Sequence, residues 1–161
     1  MDEEKKSSVA DEAYNKAWQY ELDYGCCPQC VLATVQETLG IVSDDTIKAV
    51  HGLSGGGGLM AQGACGALTG GLVALSAKYG RDRDKLDKGR RINNFKKGKE
   101  LVERFEKQFG GITCEDLQQR FTGRTWDLWE AAEYKGFSDA REHKCAEATA
   151  TVTKWVVEEL S

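Results

Sequence analysis

The chain has 161 residues, a formal net charge of -4, 40% hydrophobic and 30% charged residues, and a single proline. That length supports one domain with its own core, and the composition excludes a disordered chain and suits a helical globule better than a β-sandwich. The acidic balance forfeits the counterion release that drives nucleic-acid binding, and no apolar run approaches a membrane span.

The opening "MDEEKKSSVADEAY" is charged and has no apolar segment of signal-peptide length, so the expected location is cytoplasmic. Residues 1–8 read as a flexible lead-in to one domain spanning 1–161. Helical offsets of Ala13, Tyr14, Ala17, Trp18 and Leu22 predict a first helix over 9–24, ended by Gly25. A second starts near Pro28, where a missing N–H is harmless, and carries the stripe Val31, Leu32, Val35 and Leu39 up to Gly40. Ser43 with Asp44 and Asp45 caps a short helix through Ile47 and Val50.

A glycine-rich loop, "SGGGG", then leads into a Gly/Ala-rich helix over roughly 63–79, closed by Gly80. Gly66, Gly70 and Gly71 each cost about 1 kcal/mol relative to alanine inside a helix, which calls for close backbone approach by a neighbour or a bound group. Phe95, Val102, Phe105 and Phe109 predict one amphipathic helix over 85–109, and the basic run 81–99, broken by Asp82, Asp84 and Asp87, reads as a solvated helix face. Thr113 and Asp116 form a capping box that places Cys114 in a first turn. Thr125 is expected to cap a helical piece in the Trp-rich segment, and Ser138 the last helix, with Cys145, Ala148, Val152, Trp155 and Val156 on one face. The expected fold is therefore all-α: a single-domain multi-helix bundle with a glycine-rich loop before a central Gly/Ala-rich helix.

Several common motifs are absent. There is no G-x-x-x-x-G-K-[ST], and a G-x-G-x-x-G begun at Gly55 meets Met60 where the third glycine belongs. His51 and His143 lie far apart without H-E-x-x-H or C-x-x-C-H, G-x-S-x-G is missing, and so is the compact C-x₂-C-x₂-C of bacterial ferredoxins.

Six cysteines remain to be explained. In a reducing compartment they favour metal binding, redox cycling or burial over a disulfide framework. Cys27 and Cys30 match the C-x-x-C of dithiol oxidoreductases, though "WQYELDYG" before them reads as helix where a thioredoxin fold needs a strand. Cys26, Cys27 and Cys30, Cys65, Cys114 and Cys145 all fall near expected helix N-termini, where partial positive charge and free N–H groups favour thiolates. Spacing alone leaves ligand, redox and packing roles open.

The segments "YGCCPQCVLA", "GGGGLMAQGACGALTGGLVALSAKYG", "FEKQFGGITCEDL" and "KCAEATATV" together resemble a small family of redox-active proteins named for the pattern C, GCAxxG, C, C. The central motif reads Cys65-Gly66-Ala67-Leu68-Thr69-Gly70. The family's first cysteine matches Cys27, and its third and fourth match Cys114 and Cys145. The resemblance implies a helical redox protein working beside an oxidoreductase or electron-transfer partner. A related domain accompanies the haems of split-Soret cytochromes, where an iron–sulfur cluster is bound. Cys26 and Cys30 are additions to the pattern, and no family feature carries over to the segment 121–137 with Trp126 and Trp129.

On this basis the expected site is an iron–sulfur cluster held by Cys27, Cys65, Cys114 and Cys145 for electron transfer or redox sensing. Gly56, Gly57 and Gly66 would let backbone approach it, with Cys26 and Cys30 as further ligands or resolving thiols. The alternatives are a thiol–disulfide enzyme using Cys27 and Cys30, or a structural zinc site on the same four cysteines. A homodimer is the expected assembly, with no nucleic acid and no membrane as partner.

Overall fold

The computed structural model describes residues 3–161 and consists of eight α-helices. In chain order they are α1 (Glu3–Tyr24), α2 (Cys27–Leu39), α3 (Asp44–Ala49), α4 (Gly66–Tyr79), α5 (Ile92–Phe109), α6 (Cys114–Thr122), α7 (Ala131–Arg141) and α8 (Lys144–Leu160). No strand forms among the described residues; a single bridge pairs Ala64 with Thr113. The chain is thus the all-α bundle its periodicity predicts. No helix among the described residues is long and apolar enough to cross a membrane.

The C-terminal helix is the central one, touching α1, α2 and α4. Its buried face, Ala148, Val152, Val156 and Val157, is β-branched enough to suit a strand, but three helices cover it and packing overrides that propensity. Buried Ala10, Ala13 and Ala17 let α1 lie close along α8, an approach fixed at the rim by Lys154–Asp11 at 2.5 Å. Leu32, Leu68, Phe105 and the valines complete a core shared by α2, α4, α5 and α8. Gly71 sits at its centre: a Cβ there would lie 2.6 Å from Val152 Cγ1 and 2.9 Å from Leu101 Cδ2, so the helices meet over bare backbone.

Several boundaries differ from expectation. The first helix begins at Glu3, inside the segment expected to be flexible, while residues 1 and 2 lie outside the described residues. The helix expected over 85–109 starts only at Ile92, preceded by exposed chain with one short turn at Arg83–Lys85. That stretch has a single large apolar residue, half-exposed Leu86, so it has no face whose burial could offset the entropy of ordering it. Thr125 does not cap a helix. Glu130 does, its carboxylate accepting from the Glu133 N–H at 3.0 Å, because Trp126 and Leu128 are drawn into tertiary contacts before the chain can coil. Ser138 lies inside α7 rather than before the last helix, which begins after a reversal at Glu142 with φ +50°.

Candidate thiol site

Between α1 and α2 the backbone turns through two consecutive left-handed residues, Gly25 (φ +65°) and Cys26 (φ +62°). For a non-glycine residue this conformation is uncommon. It reverses the chain within two residues and makes Cys26 the N-cap of α2, its carbonyl accepting from Gln29 N at 2.9 Å. Pro28 follows in the first turn, as its absent N–H allows. Cys27 therefore emerges at the first helical position. Cys30, one turn on, is buried elsewhere: its Sγ donates to Gly25 O at 2.9 Å and neighbours Glu21.

Cys65 and Cys114 are brought together by backbone pairing. Cys65 N donates to Ile112 O at 2.7 Å and Cys114 N to Gly63 O at 3.0 Å, across the Ala64–Thr113 bridge. Cys65 is thereby the N-cap of α4, and Cys114 opens α6 behind the complete Thr113–Asp116 capping box. The glycine loop stitches this arrangement together, with Gly63 N bound to Gly56 O at 3.0 Å and Glu115 N to Ala61 O at 2.9 Å. Cys145 arrives from the first turn of α8.

These starts converge. Cys27, Cys65, Cys114 and Cys145, one from each of α2, α4, α6 and α8, line a single cavity of about 70 Å³. Cys26 also lines it, while Cys30 does not. Of the glycines named from sequence, Gly66 is on the wall and closes the site tightly: a Cβ there would stand 2.5 Å from Cys27 Sγ and 2.6 Å from Pro28 Cδ. Gly55 is also on the wall, whereas Gly56 and Gly57 are not. Gly56 faces Ala61 and Gly63 inside the loop, and Gly57 has open space around its side-chain position.

Three residues that the sequence did not single out complete the surroundings. Glu21 and Arg141 line the cavity 4.0 Å apart, and buried Gln118 touches Cys114. Glu21 had a signal, since it continues the buried Ala13–Ala17 stripe by one more turn; Arg141, at the end of a weakly patterned helix, had none. Leu59 and Leu128 close the outer side and are shared with a surface groove that carries exposed Met60 and Trp129. Trp129 Nε1 donates to Gly58 O at 2.9 Å and ties the Trp-rich loop to the glycine loop.

Electrostatically the site favours the protonated form of Cys27, Cys114 and Cys145. The Cys27 thiol is raised well above its ordinary value by its contact with the Cys65 thiol and by burial, against the Gly55 N–H. Burial pushes Cys145 up to about 12, opposed by Arg141, and Cys114 up to about 11, opposed by Gln118. Burial likewise takes Glu21 to about 7, with Arg141 pulling the other way. Burial disfavours the Arg141 charge, but Cys145 and Glu21 outweigh it and hold the guanidinium firmly protonated. Glu21 Oε2 and Thr149 Oγ1 are buried without a hydrogen-bond partner among the described residues. Such a site releases protons when a cation replaces them, since only thiolates ligate. Among the described residues, no three Cys, His, Asp or Glu side chains are grouped tightly enough to hold one ion.

No curated protein and no solved structure matches the chain. A family profile does, described as "Putative redox-active protein (C_GCAxxG_C_C)", over residues 25–159. That span contains all six cysteines and every helix that lines the cavity except α1. With four helix starts presenting cysteine to one cavity, and with the profile covering most of its length, the chain belongs to the C_GCAxxG_C_C family of redox-active proteins.

Proposed function

We propose that the cavity binds an iron–sulfur cluster through Cys27, Cys65, Cys114 and Cys145, and that the protein uses it for electron transfer or redox sensing. The observation that carries this reading is the convergence of four thiols from four helix N-termini on one small cavity. The residues present suit the group. The set is Cys₄, the usual donor set of [2Fe–2S] and [4Fe–4S] centres. Gly66 leaves the Cys27 sulfur room that any side chain would take.

When bound, such a cluster supplies one-electron chemistry. This chain's residues then do three things. The helix N-termini and Arg141 offset the negative charge of four thiolates. Leu59, Leu117, Leu128 and Phe137 keep the cavity apolar and limit water. Met60 and Trp129, beyond the Leu59–Leu128 wall, mark where an oxidoreductase partner approaches. All six thiols are free, in keeping with a reducing, cytoplasmic setting.

The C-x-x-C enzyme reading is weaker on this geometry. Cys30 donates to Gly25 O and sits beside Glu21, behind the wall of the cavity that Cys27 lines, and both thiols are raised where a dithiol oxidoreductase needs a lowered one. Anaerobic purification with visible absorption and iron and sulfide analysis tests the proposal. A brown protein with matching iron and acid-labile sulfide supports it, and a colourless protein that retains stoichiometric zinc overturns it.

A further inference from the structure

Gln118 is fully buried on α6, one turn after Cys114, and both ends of its amide are engaged. Its Oε1 accepts from the backbone N–H of Trp126 at 2.7 Å, and its Nε2 donates to Cys114 Sγ at 3.5 Å. A side-chain amide can be turned either way, and only its partners decide which end is which. Here the partner that decides is a backbone N–H, which can only donate. It fixes the oxygen toward Trp126 and so presents the NH₂ group to the sulfur.

Trp126 is itself anchored. Its Nε1 donates to Thr122 Oγ1 at 2.8 Å, Arg124 stacks over its ring at 3.9 Å, and the ring lies where a Cβ on Gly136 would be 2.6 Å away. The Trp-rich segment thus ends, through two hydrogen bonds, on a cavity sulfur. From this geometry we infer that Gln118 is a positioning residue, oriented by the Trp126 backbone, that donates a hydrogen bond to Cys114 Sγ and raises the reduction potential of the group bound there. Hydrogen bonds to ligand sulfurs stabilise the more negative, reduced state, and partners beyond the ligands orient and tune them. The inference rests on the cluster reading for the potential, but the hydrogen bond itself belongs to the metal-free chain as well.

The experiment compares wild type, Gln118→Met and Trp126→Phe after anaerobic reconstitution with iron and sulfide, reading the midpoint potential. Gln118→Met removes the donor at similar length; Trp126→Phe removes only the indole bond to Thr122, keeping an aromatic ring against Gly136 and the backbone N–H that orients Gln118. The expected result is a lower potential in Gln118→Met and an unshifted one in Trp126→Phe. A wild-type potential in Gln118→Met, or an equal shift in Trp126→Phe, overturns the inference. Gln118→Glu covers the case in which Gln118→Met does not fold, because it keeps the shape and the Trp126 bond. Its potential should depend on pH, as the carboxyl donates only while protonated, and a pH-independent wild-type value contradicts the role. Should wild type take up no cluster, the cluster reading fails, and iodoacetamide labelling of the reduced metal-free chain decides the rest. Cys114 should react several-fold more slowly in Gln118→Met relative to Cys27, and an unchanged ratio would overturn the donor role.

Discussion

Gly66 and Gly71 lie on the same helix, five residues apart, and neither leaves room for a Cβ, yet their neighbours differ in kind. At Gly71 the obstructing atoms are Val152 Cγ1, Leu101 Cδ2 and Val156 Cγ2, all hydrocarbon from α5 and α8. At Gly66 they are the Cys27 sulfur and the Pro28 ring at the start of α2. A glycine on one helix therefore serves core packing at an interior position, Gly71, and the thiol cavity at the first helical position, Gly66, which the sequence placed inside a longer helix. Close approach alone does not identify a functional residue; the chemistry of what approaches does.

Substitutions at the start and in the middle of α4 should separate accordingly. The largest effect is expected from Cys65→Ser, which removes a thiol at the N-cap of α4 and should abolish iron retention, read by iron and sulfide content after desalting. Cys30→Ser should retain iron, because Cys30 lies off the cavity. Equal loss from both would merge the two classes of thiol. Next, Gly71→Val should destabilise the fold by about 3 kcal/mol through overpacking, without changing iron retained per folded chain. Gly66→Ala should do the reverse: its methyl group displaces the Cys27 sulfur and the Pro28 ring, at a first helical position where alanine gains little helix propensity. Urea unfolding alongside iron analysis distinguishes them, and a Gly66→Ala protein with normal iron content would remove the distinction.

A pH series sharpens the comparison from another side. Glu21, with an ordinary value of 4.5, is raised to about 7, and the cavity thiols Cys27, Cys114 and Cys145 are raised above 9.0. Groups raised in the folded state stabilise it fully below their unfolded values, and that contribution is lost as pH rises through the folded ones. The metal-free chain should therefore lose stability as pH climbs from about 4.5 to 7 on account of Glu21, and again above 9 on account of the thiols. Metal retention should move the opposite way, improving with pH because each ligating thiol must shed its proton. Thermal melts with and without chelator across pH check this, and parallel profiles would contradict it. The smallest effect is expected from Thr113→Ala, which removes the α6 cap for about 1 kcal/mol, measurable by urea unfolding.

Much of this was legible in the chain where local chemistry dictates structure. The Thr113–Asp116 box, Pro28 at a helix start and the stripe Val31, Leu32, Val35 each specify an element without outside help. The convergence of four cysteines came from the resemblance, because spacing cannot say that helix starts at 27, 65, 114 and 145 meet. What was not legible depends on contacts distant in sequence. Trp129 pairs with Gly58 across 71 positions, and Leu128 is held at the cavity wall, so a segment expected to form helix stays irregular, with a turn at Leu128 and Trp129. Gly56 and Gly57 looked like backbone for a ligand; their loop instead folds on itself and serves the site by aligning Cys65 with Cys114.

Iron K-edge X-ray absorption of the anaerobically reconstituted protein bears most directly on the central claim. Four cysteine thiolates and inorganic sulfide predict a first coordination shell of sulfur alone, with an iron–iron contribution beyond it. Nitrogen or oxygen scatterers in that shell, or the absence of any iron–iron contribution, would contradict the account.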